Sequence, residues 1–396
     1  MPRRPTNLHR TSAALLLAVC LAAPGQAQSI RLHVTETASG RPVAGGVADL
    51  LDDHGTVVGA GVLSSDGRYL LTLPGAGSYR VRVRRIGYEP FVVNAPPVAG
   101  TATVELALSV PDRRIRLNTI VVTAHPRCSR DAFRDQSVAT LWEEVRTALT
   151  TTMLSRADSA LLLEARAFRR RLDADRTLTE ELVGLPRLTG GGKPYGSREA
   201  SDLARDGYVR QVGGETIFYA PDEQVLLSDQ FLDERCFEVV RGSGPASGLF
   251  GLRFTAANRR HANDIAGTLW VDSASASLRY LDFRYENEFM PRTVIGDDRS
   301  GGQVIFDRLA GGRWIVSAWR LRMPHFDVGR RLTPRSFPDA YEEVGGVVTP
   351  RPGDSAPALA VAESYRALLA PARVTGTVYD SLAGGHLELV RPDRVG

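Results

Sequence analysis

Few residues of this chain have the type and spacing that chemistry needs. Its cysteines are Cys20, Cys128 and Cys236. Cys20 lies inside an apolar run and follows Val19 rather than a small residue, which argues against a lipid-modified cysteine. Cys128 and Cys236 are 108 residues apart, with no Cys-x-x-Cys and no histidine at metal-ligand spacing. An even pair of this kind in an oxidising compartment points to a structural disulfide rather than a zinc or redox site. In the chain-entropy account, closing such a loop contributes about 4–5 kcal/mol. The other candidates are aromatic: Trp270, Trp314 and Trp319, with Tyr280 and Tyr285, fall on neighbouring expected strands. Those on a concave face could stack a sugar ring or line an apolar groove, although core packing is the commoner fate of such residues.

Reactive constellations are absent from the sequence. No serine has glycine both two before and two after it, so there is no nucleophile elbow. Lys193 is the sole lysine; Gly190 stands where a serine-lysine pair would need its serine, and Arg187 and Pro194 break the phosphate-loop pattern around it. His-Glu-x-x-His does not occur, and His33, His54, His125, His325 and His386 are scattered. His261 with Asp264 reads as a surface hydrogen bond. Asp52-Asp53 and Asp297-Asp298 read as solvated turns, without the further acids that calcium requires. The sequence therefore assigns no catalytic residue, no metal and no cofactor, and the expectation is a protein that binds rather than reacts.

The N-terminus explains where such a protein would work. Arg3, Arg4 and Arg10 precede an apolar run from Ala13 to Ala23, and Gly25-Gln26-Ala27 supplies small residues for cleavage. The run is 11 residues long, against roughly 20 for a bilayer-spanning helix, so residues 1–27 read as a signal peptide and the mature chain carries no transmembrane span. The expected location is the periplasm or the outer membrane. Removal of the three arginines lowers the formal charge from +4 to +1, which takes away the main support for nucleic-acid binding. Arg169-Arg170-Arg171 is followed closely by Asp173, Asp175, Glu180 and Glu181, a pattern of a solvated charged face.

Residues 28–110 read as an all-β Greek-key sandwich. Tyr79, Val81 and Val83 alternate with Arg80, Arg82 and Arg84, and Val104, Leu106 and Leu108 alternate with Thr103, Glu105 and Ala107, each a period-2 pattern with one buried face. Gly40-Arg41-Pro42, Asp66-Gly67, Pro74-Gly75 and Gly87-Tyr88 mark the turns. Thr37-Ala38-Ser39-Gly40-Arg41-Pro42-Val43-Ala44-Gly45, Asp66-Gly67-Arg68-Tyr69, Gly77-Ser78-Tyr79 and Arg84-Arg85-Ile86-Gly87-Tyr88, in this order and spacing, make the segment resemble the carboxypeptidase regulatory-like domain. That resemblance covers roughly a fifth of the chain and implies a transthyretin-like sandwich that accompanies function rather than performing it. No zinc-ligand set for carboxypeptidase activity is present. Ile120-Val121-Val122-Thr123-Ala124 is similar to the junction that TonB-dependent receptors place after this domain, but the remainder is too short for a plug and large barrel.

Residues 111–136 read as a linker and 137–348 as an α+β domain. Val138, Leu141, Trp142, Val145, Leu149 and Thr152 fall at helical spacing, with Ser137 placed to cap and Glu143, Glu144, Arg146 and Thr147 on other faces. Leu161 to Leu172 reads equally as strand or helix. Alternation returns over 247–323, where Leu281, Phe283 and Tyr285, then Val304 and Phe306, then Trp314, Val316 and Ala318 define an antiparallel meander. Helix plus meander resembles the half-barrel of periplasmic lipoprotein carriers. A Pro/Gly-rich linker follows over 349–372, and 373–396 echoes the start of the sandwich, at a length that must either stay disordered or pair with an edge strand elsewhere. The expected function is that of a non-catalytic envelope module with a protein, glycan or lipid partner. Lipid or lipoprotein handling on a concave sheet, service to a TonB-dependent system and carbohydrate binding are the alternatives.

Overall fold

Alternating apolar residues separated by turn glycines give the N-terminal region seven strands: β1 (Ser29–Glu36), β2 (Val47–Leu51), β3 (Val57–Val62), β4 (Arg68–Thr72), β5 (Arg80–Arg85), β6 (Tyr88–Asn94) and β7 (Thr103–Val110). The computed structural model describes residues 28–98, 102–115, 117, 120, 126–157, 161–184, 187–190, 195, 197–212, 215–257, 263–287, 300–326, 336–350, 373–383 and 386–390. Residues 1–27 with Cys20, residues 121–125 with His125, Lys193, His261, Asp297, Asp298 and residues 351–372 lie outside them. The strands form two layers, ordered β4-β1-β7 and β3-β2-β5-β6, and the chain crosses between layers after β1, β3, β4 and β6. β1 and β7 run parallel, and the other pairs are antiparallel. Ile30, Leu32, Leu50, Leu71, Val81, Val83 and Leu108 fill the space between the layers, the faces that alternation picks out.

The remaining elements, in chain order, are β8 (Arg127–Cys128), α1 (Gln136–Ala157), β9 (Leu162–Asp173), β10 (Thr177–Val183), β11 (Arg187–Gly190), α2 (Ala200–Asp206), β12 (Val209–Val212), β13 (Glu215–Phe218), α3 (Glu223–Leu227), α4 (Asp229–Asp233), β14 (Arg235–Arg241), β15 (Leu249–Ala256), β16 (Asn263–Asp272), β17 (Leu278–Asn287), β18 (Gly301–Arg308), β19 (Trp314–His325), β20 (Ala340–Pro350), β21 (Arg373–Ala383) and β22 (His386–Val390). One sheet takes the order β22-β21-β10-β9-β20-β19-β18-β17-β16-β15-β14-β8, with β11 on β9. The expected meander is its centre. The ambiguous stretch 161–172 is strand β9, held between β20 and β10. The described residues of 373–396 take the second of their two fates: β21 pairs in parallel with β10 and antiparallel with β22, which forms the sheet edge. Among the described residues no helix is long and apolar enough to cross a membrane.

Helix α1 lies across one face of the large sheet and buries Val138, Leu141, Trp142, Val145 and Leu149 with Leu252, Leu269, Leu281, Phe283, Val304 and Trp314. Its N-terminus is capped by Asp135 rather than Ser137, because the Asp135 carboxylate accepts N–H bonds from Ser137 (2.9 Å) and Val138 (3.2 Å). A second stripe, Glu144, Thr147 and Thr151, is also buried. Sequence periodicity leaves these positions on an outer face, but the sandwich covers that face through β2 and β3. The helix is therefore a shared layer between two sheets.

Candidate functional site

Two kinds of contact join the sandwich to the rest, and they treat charge in opposite ways. The first is a sealed seam. Arg84, expected on the solvent face of β5, is only 4 % exposed, because that face docks on α1. Its guanidinium donates to Asp49 from Nε (2.7 Å) and Nη2 (3.0 Å), and Arg82 Nε adds a third bond to the same carboxylate (2.8 Å). Arg84 Nη1 reaches Thr147 Oγ1 on α1 at 3.4 Å. Beside it, Glu144 accepts the Gly87 N–H at 2.6 Å. Burial pushes the Glu144 carboxyl up to about 8; the Gly87 N–H opposes this and the neighbouring Glu143 charge adds to it.

The second contact is a cleft of about 290 Å³. One wall is the β5–β6 turn, Arg85 to Tyr88, with Arg114 and Ile115 of the connecting segment. That segment is stitched to the turn by bonds from Glu89 N to Arg113 O and from Ile115 N to Gly87 O, both 2.9 Å. The facing wall is the β16–β17 turn, Ala274 to Ser277, which Asp272 holds by accepting from Ala274 N (3.1 Å) and Ser275 N (2.8 Å). Arg308, Trp314 and Gly45 complete the lining. Close approach of the two bodies depends on Gly45 (φ +70°) and Gly312 (φ +87°), since a Cβ on either would overlap the backbone of the other's turn.

Three guanidiniums line this cleft and no carboxylate does, among the described residues. Arg85 and Arg114 sit over the Tyr88 ring at 4.1 and 5.6 Å from its centroid. Arg85 is paired with Glu36 behind the wall, and Arg114 approaches Asp112 at 3.5 Å. Arg308 donates from Nη2 to the Ala44 carbonyl at 3.2 Å and has no ion pair among the described residues. Removal from water, then the charge of Arg85, lower its pKa, and only Tyr88 works the other way.

The residues singled out by sequence are distributed differently. Cys128 and Cys236 are joined in a disulfide, directly opposite each other on β8 and β14. The aromatic set does not form a groove. Trp314 and Tyr285 belong to the core under α1, and Tyr280 is buried on the opposite face with Ile305 and Ala318, where Trp270 packs on it. Tyr280 and Tyr285 part by simple alternation along β17, whereas β18 and β19 shift register between Ile305 and Phe306, leaving Ser317 as an extra residue. Trp319 thereby joins the Trp314 face and stacks at 5.3 Å on Tyr195, while Ala318 turns away. Only Trp314 touches the cleft. Asp264 pairs with buried Arg235 through two bonds of 2.6 Å.

Sequence reasoning misses the cleft residues because each is ordinary alone and they converge from positions 45, 85–88, 114–115, 274–277 and 308. The available signal is the Arg85-Ile86-Gly87-Tyr88 turn, read as a strand boundary only. It also misses a buried network in which Glu343 accepts from Arg322 Nε (2.7 Å) and lies 3.3 Å from Arg320. Burial lowers the Arg320 pKa to about 10; Glu343 opposes this, and Arg322 and Arg170 reinforce it. Arg170 of the expected solvated triplet belongs to this network, 3.7 Å from Glu343, and with Arg169 and Arg171 it also lines a second cavity of about 430 Å³. That cavity also carries Glu180 and Glu342, and two of its arginines are already paired, Arg169 with Glu342 and Arg170 with Glu181. Among the described residues no group of three or more His, Cys, Asp or Glu could hold a metal ion.

No family model matches the chain and no curated protein does. Among solved structures, it is similar to a DUF1329 family protein from Desulfovibrio piger, with 10% identity and a TM-score of 0.22 over 55% of this chain and 93% of that one. A 9R-lipoxygenase from Cyanothece shares 11% identity at a TM-score of 0.19, over 87% of this chain and 45% of that one. A Bacteroides uniformis protein named for carbohydrate binding shares 10% identity at a TM-score of 0.18, over 66% of this chain and 96% of that one. TM-scores of this size leave function to be argued from the residues of the chain itself.

Proposed function

We propose that this chain is an exported, non-catalytic binding module of the cell envelope that seats its ligand in the cleft where the sandwich meets the large sheet. The N-terminal segment with its signal-peptide pattern and the disulfide between Cys128 and Cys236 support export. The sandwich, which resembles the carboxypeptidase regulatory-like domain, acts as one wall of the site and not as an enzyme part. The observation that carries the reading is a cleft built jointly by both bodies and fixed by α1 between them. Lipid carriage on the concave sheet has less support, because α1 and its aromatic partners fill that face. Glycan and protein ligands both remain compatible with a polar cleft of this size.

Mass spectrometry of whatever co-purifies from the envelope tests the reading when it is paired with a variant that fills the site. Ala274 is exposed on the cleft wall, so Ala274→Trp is expected to fold normally and to lose the co-purifying ligand. A ligand retained equally by this variant would place binding elsewhere on the molecule.

A further inference from the structure

Resting on the cleft reading above, we infer that the cleft selects an oxyanion, a carboxylate or phosphate carried by a small polar molecule, with Arg308 as its principal contact and Arg114 and Tyr88 beside it. Three observations converge. The lining brings together Arg85, Arg114 and Arg308 with no acidic side chain among the described residues. Elsewhere the molecule neutralises its buried arginines: Arg84 is forked onto Asp49, Arg235 onto Asp264 and Arg322 onto Glu343, and within the cleft Arg85 and Arg114 have Glu36 and Asp112. Arg308 has only a backbone carbonyl, which uses one of its five N–H donors. A planar guanidinium with free donors matches an oxyanion in a bidentate fork.

The rest of the wall suits a small polar ligand. Ser275 and Ser277 line the wall with Arg85 and Arg114, and the Tyr88 ring backs both guanidiniums, at 4.1 and 5.6 Å from its centroid. Trp314 closes the floor and is almost fully buried, so the ligand meets an apolar base under a charged rim. A volume of about 290 Å³ admits a monosaccharide or a short phosphate ester.

Isothermal titration of the full mature protein at low salt, with inorganic phosphate, glucuronate and glucose as probes, tests the inference. Phosphate or glucuronate is expected to bind, glucose to bind at least tenfold more weakly, and Arg308→Gln to weaken the anion at least tenfold without moving the melting temperature. The tighter of the two anions identifies whether the source is a phosphate ester or an acidic sugar. Glucose binding as tightly as glucuronate, and lost in Ala274→Trp, would overturn the anion selectivity while leaving the cleft as the site. Absence of binding by both anions, or anion affinity unchanged in Arg308→Gln, would overturn the inference outright.

Discussion

Arg84 and Arg308 both stand at the junction of the two bodies, yet their surroundings differ in every respect that matters for function. Arg84 is buried, forked onto Asp49 and tied to Thr147 of α1. Arg308 keeps part of its surface in water, faces a second arginine and touches a single carbonyl oxygen. A buried charge without its partner is strongly destabilising, so the seam must be complete for the sandwich to dock at all. A half-exposed charge in a cleft costs little to leave unmatched, and its unmatched state is what a ligand can use. The same residue type therefore fastens the junction at one end and is left available at the other.

Breaking the seam should have the largest destabilising effect. Asp49→Ala leaves Arg84 buried without a carboxylate and is expected to cost about 3–5 kcal/mol in denaturant unfolding. Replacing Asp49 and Arg84 together by apolar residues of similar volume should recover most of that loss. If Asp49→Ala proved no more harmful than Arg308→Gln, the contrast between seam and cleft would fail.

Glu144 sharpens the comparison through pH. Its folded pKa of about 8 lies above the unfolded value of 4.5, so its contribution is fully present when the carboxyl is protonated and is lost as pH rises from about 4.5 to about 8. Unfolding free energy measured against pH should show that decline, and Glu144→Gln should remove it. The variant is then expected to be more stable than the parent above pH 8, by roughly 5 kcal/mol, and nearly equal to it at pH 4. Parallel curves for the two proteins would mean that the seam does not hold this carboxyl out of water.

Gly312→Ala tests the close approach of the turns. With φ at +87° and the Ala44–Gly45 backbone against it, the added methyl should cost about 1–3 kcal/mol and loosen the cleft. Smallest of all, Arg308→Gln should change stability by no more than about 0.5 kcal/mol, which separates its role from that of Arg84.

Much of this architecture was readable from residue order. Alternation at Val81 and Val83 and at Leu281, Phe283 and Tyr285 marked strands whose inner faces are those of the structure. The helix stripe from Val138 to Leu149 did the same for α1. What periodicity misses is a second covered face. Arg84, Glu144 and Thr147 read as outward positions because a period identifies one buried side, while a helix clasped between two layers has two. The bulge at Ser317 is equally silent, since one extra residue shifts every later side chain in β19 to the other face. The cleft is the least legible part, because it exists only once turns from distant segments are brought together.

The disulfide occupies a telling position along the chain. Cys128 lies after the sandwich and before α1, and its bond reaches across to β14 of the large sheet. Tension applied at the sandwich and carried along the backbone meets this covalent clip before it reaches the helix. A pulling force that enters along this backbone would thus be shunted into β14 of the sheet before it loads α1.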